Sequence, residues 1–443
     1  MARVIPAPER HITHGRVFRI AFPIVLSNAT VPILGAVDTG VVGQLGDPVP
    51  IGAVGVGAVV LTAIYWIFGF LRMGTTGLTS QAQGAGRSGE VAALLTRALM
   101  IGLVAGITVA ALQIWIFAGA FRISPASAEV EAMARDYMQI RIWSAPAVIA
   151  LYGITGWLVA LERTGAVLVL QIWMNGLNIV LDLWFVLGLG WGVEGVAIAT
   201  FMAEWSGLAL GFWLCREAFR VPAWRDWARV FDAEALTNMA RVNFDILLRS
   251  LMLQVIFVSF LLLGGRFDDV TLAANQVLLQ FLNITAYAMD GFAFAAEALV
   301  GQAMGARNAA RLRRGALVTT HWALGTNVLL AAGFALAGGL LIDLMTTAPM
   351  VRDAARDYLP YMVAAPVLGV AAWMLDGIFI GATRGADMRN MMALSLVAYV
   401  VSALTLVPWL GNHGLWLALL ISFVARGVTL GLRYPALERA VER

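Results

Sequence analysis

Long apolar blocks alternate with short polar breaks along this chain. Each block runs about 20 to 28 residues, enough for a helix to cross roughly 30 Å of hydrocarbon. The pattern predicts twelve spans, near 17–44, 52–80, 92–119, 133–161, 166–189, 193–216, 240–264, 271–300, 312–341, 355–382, 389–410 and 414–434. The breaks are short except around 217–239, "EAFRVPAWRDWARVFDAEALTNM", which is polar and carries tryptophans suited to a membrane interface. This stretch separates an N-terminal lobe of six spans (1–216) from a C-terminal lobe of six (240–443), with 217–239 as a cytoplasmic linker.

The two halves resemble each other at an offset of about 220 residues. "QAQGAGRSGEVAALLTRAL" (81–99) returns as "QAMGARNAARLRRGAL" (302–317), and "APAVIALYGITGWLVALERTG" (145–165) as "APVLGVAAWMLDGIFIGATRG" (365–385). "WGVEGVAIAT" (191–200) returns more weakly as "LGNHGLWLAL" (410–419). Six spans is an even number, so the repeats run parallel, a plan used by secondary transporters with a site between the halves.

Composition narrows the function. Of 443 residues, 60% are hydrophobic and 13% charged, about half the charged share of a soluble domain. The mean hydropathy is +0.81. All thirty basic residues are Arg, which excludes a Walker A loop, a Schiff-base lysine and a Ser-Lys dyad. A single cysteine, Cys215, excludes an internal disulfide and a cysteine-based metal site. The N-terminal "MARVIPAPERHITHGR" is polar and basic with no signal-peptide pattern, so the first apolar block is expected to be retained. Arginine placement then sets orientation. Twenty-one lie in the termini, the even-numbered loops and their flanks, against six (Arg122, Arg135, Arg141, Arg266, Arg352, Arg356) on the other side. Both termini are expected to be cytoplasmic.

Polar residues within spans are functional candidates by default. At 1.5 Å per residue, Asp38 lies roughly 28 Å from the cytoplasmic face, Asp182 roughly 25 Å, and Thr200 roughly 10 Å below the outer face. The three therefore fall at similar depth on three spans. Asn175, Asn178 and Asp182 follow i, i+3, i+7 spacing and share one helical face. Glu204, one turn beyond Thr200, is placed to face the same cavity, and Asp290 is the deepest charged residue of the other half. The corresponding C-terminal positions near Val258–Ser259, Val401 and Leu419 lack the cluster. Two close carboxylates in a poorly screened site repel, so a proton can be held there near neutral pH. The same oxygens, with amides and a hydroxyl, also suit sodium. Interhelical hydrogen bonding alone contributes only about 1 kcal/mol or less per bond. Pro23, Pro32 and Gly35 favour a bendable first span.

Several other signals carry less. "GAGRSG" (84–89) matches a dinucleotide fingerprint but follows a membrane helix, and it reads as a tight turn. The glycosylation patterns at Asn28 and Asn283 lie within spans. His11, His14, His321 and His413 are scattered, and His321 is expected to be packed within span nine. Asp245 and Arg249 are expected to pair at i, i+4. Arg72, Glu297, Asp376 and Arg426 lie mostly near the cytoplasmic ends, where pairing or snorkelling is cheap. The motif of intramembrane aspartyl proteases is absent around Asp38 and Asp182.

"AFPIVLSNATVPILGAVDTGVVGQLG" (21–46) and "NGLNIVLDLWFVLGLGWGVEGVAIAT" (175–200) resemble the first, fifth and sixth helices of the multidrug and toxic compound extrusion (MATE) family. "DGFAFAAEALVGQAMGA" (290–306) and "DGIFIGATRGADMRNMM" (376–392) resemble its DinF branch, and the resemblance spans essentially the whole chain. It implies an all-α polytopic membrane protein with twelve transmembrane helices in two parallel six-helix lobes around a cavity. It implies a transporter rather than an enzyme: a monomer in the bacterial inner membrane that exports amphipathic, often cationic organic compounds. Inward proton or sodium flow would drive export, with no cofactor and no nucleic-acid partner. On this resemblance the cation site maps to Asp38, Asn178, Asp182 and Thr200, and the first-helix bend to Pro23, with Pro32 beside it. The NorM branch uses acidic residues of helices seven and ten; here Asp245 and Asp376 lie near the ends of those helices, and the role is not carried over. Two rivals remain from the sequence: a lipid-linked precursor flippase, usually of fourteen spans, and a membrane receptor or scaffold that transports nothing.

Overall fold

The computed structural model describes residues 11–123 and 127–441. Arg3, Arg10 and Arg443 of the arginine count lie outside them. Among the described residues every regular element is helical. Twelve helices are long and apolar enough to cross a membrane: α1 (His14–Gly43), α2 (Val49–Gly84), α3 (Ser88–Ala111), α4 (Ala128–Ala160), α5 (Thr164–Gly188), α6 (Gly192–Leu214), α7 (Ala233–Gly264), α8 (Asp269–Gly305), α9 (Ala309–Met345), α10 (Pro349–Gly381), α11 (Gly385–Leu410) and α12 (Asn412–Val441). They match the predicted spans but start several residues earlier, because polar first turns extend each helix beyond its apolar stretch. α7 thus absorbs the end of the predicted linker. Leu336 and Trp409 are 89% and 88% exposed, which suits hydrocarbon and not water.

Four connections use one turn. Gly86, Glu162, Arg307 and Thr383, which follow α2, α4, α8 and α10, all have positive φ, from 51° to 71°. In each case the next residue donates its N–H to a carbonyl five positions back. These bonds are Arg87 to Ala82, Arg163 to Leu158, Asn308 to Ala303 and Arg384 to Phe379, at 2.8–3.0 Å. This is a Schellman closure, which satisfies carbonyls left free at a helix end. Its recurrence six spans apart writes the internal repeat into the backbone. "GAGRSG" is one of these turns, between two helices, so it forms no dinucleotide site.

Contacts divide the chain into two units, residues 26–83 and 87–236 against 11–25, 84–86 and 237–441. The boundary differs from the expected lobes in α1, whose first turns count with the second unit. Within that unit, Gly291 lies so close to Ala21 that a Cβ there would meet its carbonyl oxygen at 2.7 Å. Arg16 Nη2 donates to Gln302 Oε1 at 3.1 Å. The second unit's core holds a buried triad: Asn275 and Asn412 exchange amide bonds of 2.8 and 2.9 Å, and Trp416 Nε1 donates to Asn275 Oδ1 at 2.9 Å.

In the first unit α3 packs on the second half of α4 through Gly102 and Gly106. A Cβ at Gly106 would lie 2.2 Å from Pro146 Cα. Such small-xxx-small spacing lets membrane helices approach through backbone contact. The 217–239 stretch is fastened rather than free. Thr96 Oγ1 donates to the Trp224 carbonyl at 2.9 Å, and Arg97 donates to the carbonyls of Val230 (2.9 Å) and Arg229 (2.6 Å).

Candidate cation site

The first unit gathers the predicted cluster. Asn175, Asn178 and Asp182 are buried on one face of α5, as their spacing requires. Asn178 Nδ2 donates to Thr200 Oγ1 of α6 at 3.1 Å, and that hydroxyl donates to the Val196 carbonyl at 3.0 Å. Asn175 Nδ2 donates to Thr30 Oγ1 of α1 at 2.7 Å while its Oδ1 accepts from Gln171 at 2.9 Å. The asparagines therefore tie α5 to α6 and to α1 and fix the face on which Asp182 stands. Half-buried Asp38 of α1 faces Asp182 across the cluster.

Four oxygens of this cluster are shielded from solvent and accept no hydrogen bond from the described residues: Asp38 Oδ1, Asn178 Oδ1 and both Asp182 carboxylate oxygens. An unsatisfied buried polar atom costs about 1–3 kcal/mol, and more when charged. Oxygen-only, acid-rich sets of this kind suit a proton or a hard monovalent cation. Among the described residues, no three of His, Cys, Asp or Glu gather as a metal site would need.

Local backbone geometry is unusual beside the carboxylate. α5 is α-helical through Asp182 and then continues as a π-helical turn, Leu183–Gly188. Such turns are rare and concentrate at functional sites. α4 has a matching interruption: its first half ends at Arg141, a 3-10 turn covers Ile142–Ser144, and helix resumes at Ala145.

Arg141 corrects one reading. Counted among the outer-loop arginines, it is buried within α4. It forms an ion pair with Glu204, with side chains 10% and 13% exposed. Its Nε donates to Tyr137 Oη at 3.4 Å, its Nη1 to Ser144 Oγ at 3.2 Å, and Tyr65 Oη donates to its carbonyl at 3.0 Å. The positive-inside count treats arginines near span ends alike. The signal that distinguishes Arg141 is Glu204, a span-buried acid that needs a counter-charge.

Other expectations divide. α1 is helical through Pro23 and Pro32; Pro32 belongs to the first unit and Pro23 to the second. Asp290, half-buried in the second unit, neighbours Tyr287. The expected Asp245–Arg249 pair does not form. Arg249 pairs instead with Asp376, which Arg426 also approaches at 3.6 Å, while Asp245 pairs with Arg389 at 2.5 Å. Partners on neighbouring helices point across the bundle and outcompete the i, i+4 neighbour. His321 is exposed on α9 rather than packed, because its position falls on the outer face of the helix.

A cavity of about 770 Å³ opens between α4 and α6, lined by Asp136, Trp143, Glu194, Ile198, Phe201 and Met202.

A family model described as MatE matches the chain twice, over residues 23–184 and 246–407. The chain is 40% identical to the DNA damage-inducible protein F of Escherichia coli (strain K12), over 93% of its own length and 90% of that protein. It is 27% identical to a probable multidrug resistance protein NorM of a Synechococcus species, over 90% and 89%. Its fold superposes with a TM-score of 0.85 on an outward-facing multidrug resistance MATE family transporter of the MOP superfamily, at 22% identity and covering 96% of this chain and 97% of that one.

Proposed function

Because this chain belongs to the MatE family, whose members are multi-pass membrane transporters and not enzymes, we propose that it exports bulky, amphipathic, often cationic organic compounds in exchange for an inward-moving proton or sodium ion. It would do so as a monomer in the bacterial inner membrane, with both termini cytoplasmic. The observation that carries this reading is the set of four unpartnered, buried oxygens on Asp38, Asp182 and Asn178. A proton or sodium ion bound there relieves the repulsion between the two carboxylates and satisfies atoms the protein leaves bare.

Coupling requires that the cation bind two conformations with different affinity, at about 1.4 kcal/mol for each tenfold difference. Asp38 stands on the same helix as Pro32, whose missing N–H weakens the backbone ladder there. Drawing Asp38 toward Asp182 would bend that helix, and releasing it would let the helix straighten. The bonds Asn175–Thr30 and Asn178–Thr200 hold the frame against which Asp38 moves. The cavity between α4 and α6 pairs two carboxylates with aromatic and thioether side chains, a lining that suits an amphipathic cation. The relative named as a probable multidrug resistance protein supports export of drugs as the transport activity.

Dye efflux from proteoliposomes tests this, with a pH gradient and a sodium gradient imposed separately. One of the two gradients should drive wild-type efflux and so identify the coupling ion, and Asp38→Asn should abolish the response. Wild-type efflux by a normally inserted Asp38→Asn protein would remove the coupling role. Movement of labelled lipid with no drug transport would replace the reading with a flippase.

A further inference from the structure

The second unit holds a buried charge cluster whose signs do not cancel. Arg249 of α7, Asp376 of α10 and Arg426 of α12 are each more than nine-tenths buried. Arg249 Nη2 donates to Asp376 Oδ2, and Arg426 Nη1 stands 3.6 Å from the same oxygen. One turn before Arg249, Asp245 is taken by Arg389 of α11 at 2.5 Å. Three guanidinium groups therefore meet two carboxylates, a surplus of one positive charge. Among the described residues, Arg249 and Arg426 form ion pairs with Asp376 alone. Their Nε atoms are shielded from solvent and donate to none of the described residues. The further contacts of Arg426 are soft: its Nη1 lies 3.9 Å from Met392 Sδ, and its guanidinium 5.8 Å from the Phe423 ring centre.

Small residues beside the charged ones bring these helices together. A Cβ on Gly427, next to Arg426, would lie 3.0 Å from Ala371 Cβ of α10, and one on Gly385, at the start of α11, 2.8 Å from Asp245 Cβ. In the repeat, Gly156 stands at the position of Asp376, so the cluster belongs to the second half alone. Its surplus differs in kind from the crowded carboxylates of the cation site. A poorly solvated carboxylate takes up a proton and loses its charge, whereas a guanidinium keeps its proton at any working pH. An ion taken out of water without a counter-charge is strongly unfavourable. Cancelling this one requires an added negative charge.

We propose that the Arg249–Asp376–Arg426 cluster is an anion site, which holds a small monovalent anion such as chloride against the Nε groups of the two arginines. The charge of the ligand follows from the surplus of one, since a divalent anion would leave the cluster negative by as much as it is now positive. Its size follows from the packing, since the arginines stand among closely approaching helices rather than in an open cleft. With the anion bound, α7 and α12 are both tied to α10 through a neutral cluster. Without it, two guanidinium groups repel across the one carboxylate they share. The inference goes beyond the cation-site reading above and uses none of its residues.

Thermal melting of the purified full-length protein tests this, with chloride titrated against gluconate at fixed ionic strength and pH. Chloride should raise the wild-type melting temperature by several degrees and then saturate, as binding to the folded state requires. Arg426→Gln and Arg249→Gln each cancel the surplus and should lose the response, and either one suffices if the other does not fold. Asp376→Asn raises the surplus to two charges and should lower the half-saturating chloride concentration several-fold. Arg356→Gln, outside the cluster, should respond as wild type, and so should Asp38→Asn, which keeps this outcome separate from that of the efflux assay. Bromide soaked into wild-type crystals gives a readout that needs no variant: its anomalous scattering should peak beside the Arg249 and Arg426 Nε atoms. Wild-type melting indifferent to chloride, a response that the Arg249 and Arg426 variants keep, or bromide found only elsewhere would each overturn the proposal.

Discussion

Asp182→Asn should make this protein more stable and less active at once. Asp182 is fully buried, and both its carboxylate oxygens lack donors while Asp38 faces it across the site. Asparagine has the same shape and replaces one of those oxygens with an amide nitrogen. That nitrogen donates to Asp38 Oδ1, itself unpartnered. The substitution removes one like charge and one orphaned oxygen, and it adds a hydrogen bond to a charged acceptor. Such a bond is worth about 1.5–3 kcal/mol, and relief of an unsatisfied group about 1–3 kcal/mol. Incomplete alignment and a relaxed reference state in the membrane reduce the sum, so a net gain of about 1–3 kcal/mol is expected. At about 2–4 °C per kcal/mol for a unit of 150–250 residues, melting should rise by several degrees. The gain should be largest at alkaline pH and shrink on acidification, where a proton shared between Asp38 and Asp182 supplies the same bond in the wild type. Thermal melting of purified protein across pH, with dye efflux on the same preparation, reads both effects. A variant that melts at or below wild type at alkaline pH would show that the carboxylates do not strain the fold, and the argument from their bare oxygens would fail.

Two further outcomes follow from the packing. Gly106→Leu should abolish folded protein in size-exclusion profiles, because even a Cβ there would sit 2.2 Å from Pro146 Cα; Gly119→Leu, with open space around it, should be tolerated. Arg97→Ala removes the donors that hold the carbonyls of Arg229 and Val230, so trypsin should cut at Arg225 and Arg229 several-fold faster, and an unchanged rate would show that these bonds do not fasten the stretch.

Much of the site was legible along the chain because membrane helices are regular rulers. Constant rise per residue places Asp38, Asp182 and Thr200 at one depth, and the helical period puts Asn175, Asn178 and Asp182 on one face. Hydrocarbon makes any charge within a span conspicuous, which is how Glu204 entered the candidate set. Arg141 escaped because depth from a span end says nothing about which way a side chain points. Arg249 was misassigned for a related reason: neighbour spacing on one helix competes with partners on other helices, and only packing reveals those.

The sequence by itself determined the twelve spans, the duplicated halves and which polar residues stand inside the spans. Apolar length, repeat spacing and the cost of buried charge are local properties that a linear chain displays. The tertiary structure decided which charges meet. It paired Arg141 with Glu204, gave Asp376 to Arg249 and Arg426, and left Asp38, Asp182 and Asn178 with bare oxygens. Partner choice is decided by the approach of helices far apart in the chain, with contacts that no spacing along one helix encodes.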